Sequence, residues 1–158
     1  MSFVKPTTHI LLYSFLFGGV TFYSYFASPI AFKTLERKQF SILQHKVFPG
    51  FFTFQTLIPI ALYLTYPLPI STAGNTIKAL LSIASITGLA NLAWISPWCQ
   101  EIKEKRSKVE EASAEDLALR KEFGKAHGLS LLFNLSHAVS LLAYGVLFTR
   151  KVFKYIPK

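Results

Sequence analysis

Residues 6–32 read PTTHILLYSFLFGGVTFYSYFASPIAF, 27 positions between Lys5 and Lys33 without one Asp, Glu, Lys or Arg. Three more uncharged runs follow, from Lys46 to Lys78, from Lys78 to Glu101 and from Lys125 to Arg150. A helix needs about 20 apolar residues to cross the hydrocarbon core of a bilayer, and an isolated charge at its centre costs about 2.5–3.5 kcal/mol. Four charge-cleared runs within 158 residues predict an all-α integral membrane four-helix bundle, a single domain over 1–158.

The composition leaves little material for anything else. Hydrophobic residues make up 51% and the mean hydropathy is +0.37, so four spans and their connections consume nearly the whole chain. A water-soluble bundle would show polar stripes about 3.6 residues apart, which these runs largely lack. The net charge of +9 does not indicate nucleic acid. Its Lys and Arg residues flank apolar runs, as suits anionic headgroups, and no nucleic-acid-binding motif accompanies them. Cys99 is the one cysteine, so no internal disulfide forms. The first run exceeds a typical signal-peptide core and is read as an uncleaved span.

Spans are expected at about 8–31, 48–66, 76–100 and 126–149. In the first, Ser14, Gly18, Thr21, Ser24 and Ser28 share one face, a pattern that lets helix backbones approach closely. Residues 33–46 form an amphipathic segment that lies on the membrane surface or continues into span two. Pro49 suits a helix start, Pro59 lies inside the span, and Pro67 and Pro69 end it. Segment 101–125 balances seven basic against seven acidic residues. Glu101–Lys105 and Glu104–Lys108 have helical pair spacing, and Ser113 with Asp116 resembles a capping box. The third and fourth helices are therefore expected to extend beyond the membrane as a charged hairpin, breaking near 111 and resuming near 114. Eleven basic residues on the 33–46 and 101–125 side, against six on the other, place the termini outside the cytosol.

The chemistry-bearing residues are few. His127, Ser130, Asn134 and His137 fall within about 80° of one another on the helical wheel of span four. With Gln55 and Asn91 they are expected to form an inward intramembrane polar cluster, because an unpaired polar group in hydrocarbon is expensive. The cluster is either interhelical glue or a path for substrate or protons. His45, Cys99 and His127 sit at span ends on one side and could meet there as metal or haem ligands. No local CxxC or HxxxH supports that, so no metal ligand set and no cofactor is assigned. No catalytic constellation is recognisable, and the spans contain no carboxylate.

Several spaced motifs run through most of the chain. They are His9–x4–Ser14–x4–Gly19, Pro29–Ile30–Ala31–Phe32, Phe40–x2–Leu43–Gln44–x–Lys46–x–Phe48–Pro49, Asn91–x2–Trp94–x2–Pro97, and Arg120–x2–Phe123–x3–His127–Gly128–Leu129–Ser130–x3–Asn134–Leu135. In order and spacing the chain resembles the transmembrane protein 205 family. The resemblance implies a four-helix membrane bundle and brings no catalytic mechanism, although the animal member is associated with platinum-drug resistance and vesicular traffic. It points to His9, Gln44, Lys46, Pro49, Asn91, Trp94, Pro97, His127, Gly128, Ser130 and Asn134, whereas His137 and Cys99 fall outside the pattern.

These readings lead to a non-enzymatic accessory, scaffold or modulatory subunit of a membrane complex. Its partners would be membrane lipid and another membrane protein or a second copy, not nucleic acid. The alternatives are a small-solute or metal-handling transporter or channel using span four, and a haem- or metal-binding redox protein. The endoplasmic reticulum membrane is the expected compartment and a mitochondrial membrane the alternative, since no import presequence is visible.

Overall fold

The computed structural model describes residues 3–155, which form four long helices. These are α1 (Val4–Thr34), α2 (Arg37–Leu64), α3 (Gly74–Arg106) and α4 (Ala114–Tyr155). Each is long and apolar enough to cross a membrane. Successive helices run antiparallel, so His9 near the start of α1 meets Thr65 at the end of α2 and Tyr144 late in α4. Lipid offers no water to repair an open backbone, which is why the uncharged runs resolve into helices.

The break between α1 and α2 is only Leu35 and Glu36, both with ψ near 149°. Helix α2 then begins at Arg37 and passes straight through the 33–46 region into the span. Of the two expectations for this segment, continuation is the one observed. Pro49 correspondingly lies inside α2 and does not start it. The physical reason is Gln44, which is buried against α1 and holds the preceding turns upright in the bundle.

Two π-helical turns interrupt the longer ladders, at Tyr23–Ala27 in α1 and Asn91–Ile95 in α3. Each ends two residues before a proline, Pro29 or Pro97. Proline has no N–H to give to the carbonyl four residues earlier, and a wider turn accommodates its ring.

The charged connection is a helical stem. α3 ends at Arg106 rather than near 111, and α4 resumes at Ala114 as expected. Arg106 and Arg120 both bind the buried carboxylate of Asp116, at 2.9 and 2.8 Å. The Asp116 carboxylate also accepts from the Ala112 N–H, and the Ser113 hydroxyl accepts from the Asp116 N–H. That lattice holds Ala112 at φ 62°, a left-handed conformation costing about 1–2 kcal/mol for a residue with a Cβ. Glu101–Lys105 forms at 2.7 Å. Glu104–Lys108 does not appear among the ion pairs, because the helix stops before Lys108 can take up the i+4 position.

The main core joins Leu16 and Val20 of α1, Ile58 and Leu62 of α2, Leu81 and Ala84 of α3, and Leu141 and Tyr144 of α4. A smaller cluster of Ile102, Leu119 and Ala126 ties the stem. Helices α2 and α3 touch backbone to backbone at Gly88, where a Cβ would stand 2.7 Å from the Gln55 carbonyl carbon. By contrast, a Cβ on Gly18 would meet nothing within 4 Å.

These two glycines give a paired test. Gly88→Ala should push α2 from α3 and destabilise by about 1–3 kcal/mol, the usual cost of overpacking. Gly18→Ala, which meets no neighbour, should instead stabilise by up to about 1 kcal/mol, the helix-propensity gain of alanine over glycine. Reversible unfolding in detergent micelles measures both, and equal stabilities would show that the close approach is absent.

Candidate functional site

The polar side chains of the spans are organised in three layers. At the end that carries the termini, His9 is fully buried between Thr65 and Tyr144. The Thr65 hydroxyl donates its single hydrogen to the Ala61 carbonyl at 2.7 Å. It must therefore accept from His9 Nδ1 at 3.1 Å, leaving Nε2 to accept the Tyr144 hydroxyl at 2.6 Å. The imidazole is thus fixed as one neutral tautomer clamping α1, α2 and α4. Phe148 packs on its ring, with centroids 4.8 Å apart.

The central layer uses all four helices. Gln55 Nε2 donates to Asn134 Oδ1 at 2.6 Å, and Asn134 Nδ2 donates to the Ser24 hydroxyl at 2.7 Å. Asn91 opens the π-turn of α3 and donates to the Ser130 carbonyl at 3.3 Å. His137 Nδ1 lies 2.8 Å from the Ala84 carbonyl. A carbonyl only accepts, so Nδ1 carries the hydrogen and Nε2 presents a lone pair. Three buried atoms of this layer have no hydrogen-bond partner among the described residues, namely Gln55 Oε1, Asn91 Oδ1 and His137 Nε2.

The third layer lies toward the stem. The Tyr23 hydroxyl donates to Gln44 Oε1 at 2.6 Å, and Gln44 Nε2 donates to the Ser28 hydroxyl at 2.8 Å. Below it, Lys103 reaches Ser41 at 3.2 Å and lies over the Phe123 ring. Trp98 Nε1 donates to Glu122 at 2.9 Å.

Of the six expected cluster residues, Gln55 and Asn134 bond directly, Asn91 reaches the Ser130 backbone carbonyl, and His137 bonds outside the set, to the Ala84 carbonyl. His127 is not part of this layer. It is exposed and stacked on Phe123, with ring centroids 5.7 Å apart. It shares the wheel angle of Asn134 but stands two turns nearer the stem, on the exposed surface of α4. His45, Cys99 and His127 do not converge either. No group of three or more His, Cys, Asp or Glu able to hold a metal ion occurs among the described residues. His45 points outward and Cys99 packs beside Ile102 and Ala126.

Of the family-motif positions, His9, Gln44 and Asn91 are buried hydrogen-bonding residues. Lys46, Pro49, Trp94, Pro97 and Gly128 lie exposed. Trp94 stacks on Trp98 at the surface, with centroids 6.3 Å apart. Sequence reasoning missed Tyr23, Thr65 and Tyr144 as partners. The usable signal was a Tyr or Thr within an uncharged span, since a buried hydroxyl has to find a mate.

Four membrane-crossing helices tied by inward polar side chains define a four-span integral membrane protein. Residues 11–108 match a family described as a domain of unknown function (DUF4149), and the chain belongs to that family. The match covers nearly all of α1 to α3 and ends in the turn before α4. No curated protein and no solved structure matches the chain significantly.

The Gln55–Asn134 bond is the central tie of α2 to α4. A double-mutant cycle with Gln55→Leu and Asn134→Leu should give a coupling of about 0.6–2 kcal/mol, the range for interhelical hydrogen bonds in membranes. Strict additivity of the two losses would mean that the pair does not bond in the folded protein.

Proposed function

We propose that this protein is a non-enzymatic accessory subunit that works by binding another membrane protein, or a second copy of itself, side by side in the bilayer. The observation that carries this reading is the state of α1. Only 11% of its apolar window is buried inside the chain, against 44% for α4. The small-residue stripe expected to let helix backbones approach closely is divided. Ser24 and Ser28 are engaged by Asn134 and Gln44, while Ser14, Gly18 and the adjacent Gly19 face outward. Glycine weakens a helix by about 1 kcal/mol relative to alanine, and neither Gly18 nor Gly19 is repaid by a contact within the chain. Small residues let a second helix approach closely, and Phe15, Phe22 and Phe26 flank the opening.

Kinship with the transmembrane protein 205 family is part of the same proposal. It rests on motifs that continue through α4 as far as Leu135. We assign the protein to the endoplasmic reticulum membrane, whose thinner bilayer suits the 22-residue uncharged run of α3, with a mitochondrial membrane as the alternative.

A second reading, a conduit or carrier for a small solute or metal, draws on the three unpartnered acceptors of the central layer. It requires Asn91→Leu to abolish uptake while the fold is retained, and unchanged uptake would count against it.

The association reading is tested by placing cysteine at Ser14 or Gly18 in a Cys99→Ser background and cross-linking in native membranes. A discrete adduct is expected, lost when Gly18→Leu is combined with Ser14→Cys. A lone monomer under every condition, with nothing co-purifying from gentle detergent, would remove the support for this function.

A further inference from the structure

We propose that the crevice between α2 and α3, opening beneath Lys78, is a binding site for one anionic glycerophospholipid. The crevice encloses about 450 Å³ on the lateral surface of the bundle. Lys78 and Ser82, one helical turn apart, form its polar end, and Tyr63 faces them from α2. Its deeper walls are Ile60, Leu81 and Ile86. Ile60 and Ile86 are 48% and 63% exposed, so the trough opens to lipid and not to the bundle interior.

The charge distribution selects the occupant. All eight acidic residues of the chain lie at position 36 or between 101 and 122, on the stem side. The opposite end carries Lys5, Lys78, Arg150, Lys151 and Lys154 among the described residues and no Asp or Glu side chain. Lys78 is half-buried and forms no ion pair among the described residues. The Lys151 ammonium stands beside Gly74, one turn nearer the helix start, and donates to the Thr72 carbonyl. It too forms no ion pair among the described residues. Two ammonium groups near the membrane surface with no acidic partner among the described residues favour an anionic headgroup.

The length of the crevice requires that anion to carry a hydrocarbon tail. From Lys78 to Ile86 the helix rises about 12 Å, all of it within the span. A phosphate on Lys78 and the Ser82 hydroxyl would leave an acyl chain lying along Leu81, Ile60 and Ile86. A free phosphate uses only the mouth, and a zwitterionic lipid brings its own cation against Lys78. The site belongs to α2 and α3 and is independent of the outward face of α1.

Native mass spectrometry of the full chain in neutral detergent tests this, with phosphatidylglycerol, phosphatidylcholine and inorganic phosphate offered separately. One phosphatidylglycerol should be retained in preference to phosphatidylcholine, and millimolar phosphate should not displace it. Lys78→Gln should weaken retention about fivefold, the worth of one basic residue at an anionic surface, whereas Lys154→Gln should change it far less. Ile86→Trp should fill the trough and abolish retention without lowering the melting temperature, which keeps the test alive if Lys78→Gln folds poorly. Equal retention of the two lipids, displacement by phosphate, or equal losses from Lys78→Gln and Lys154→Gln would overturn the site. The last result would indicate a diffuse cationic belt.

Discussion

A helix in hydrocarbon cannot borrow water to mend a broken backbone hydrogen bond, so every proline within a span has to be accommodated by the protein itself. Beyond Pro6 in the first turn of α1, where no intrahelical bond is lost, this chain places four prolines, at 29, 49, 59 and 97, inside its membrane helices. In α1 and α3 the solution is the same. A five-residue π-turn is followed by Ser-Pro, at 28–29 and at 96–97. The residue that opens each π-turn carries the bond to the next helix, Tyr23 to Gln44 of α2 and Asn91 to the Ser130 carbonyl of α4. Each helical hairpin is thus locked where its ladder is widest. In α2, Pro59 removes the N–H that would have served the Gln55 carbonyl, and Gly88 of α3 packs against that same peptide.

The side chains chosen for these ties are neutral. Amides, hydroxyls and fixed imidazoles supply interhelical bonds worth on the order of 1 kcal/mol each without burying a formal charge. Two hairpins locked internally are then joined by the Gln55–Asn134–Ser24 chain across the bundle. The hydrophobic effect gives no such preference in lipid, where the tails are as apolar as leucine, so close packing and hydrogen bonds carry the specificity.

Much of this was legible in the sequence. Charge-free runs mark four helices because a charge in hydrocarbon is costly, and the Ser113–Asp116 spacing marks the restart of α4. Gln55, Asn91, Asn134 and His137 were legible for the same reason, as polar residues with nowhere to go but inward. Depth was not legible. A helical wheel gives an angle but not the neighbour found at each level, and His127 fell on the right face at the wrong height. Pro49 failed differently. Local preference puts proline at a helix start, but the tertiary pull of Gln44 on the preceding turns overrides it. The π-turns have no sequence period of their own and show only as the consequence of Ser-Pro within a span that must stay helical. The divided role of the α1 stripe was also hidden, since small residues look alike whether their partner lies inside the chain or outside it.

The two ends of the bundle handle charge by opposite means, and this separates what the fold can satisfy alone from what it cannot. At the stem, Arg106 and Arg120 share Asp116, and Lys105 pairs with Glu101. Such pairs neutralise one another within the stem, which also holds its own apolar cluster of Ile102, Leu119 and Ala126. At the other end the cations have no acidic residue within reach, and their desolvation is tolerable only next to headgroups or water. The middle of the bundle shows the same division, with α4 enclosed and α1 left open. What this fold leaves unsatisfied therefore lies at its lateral and terminal surfaces, which in a bilayer face lipid and headgroups.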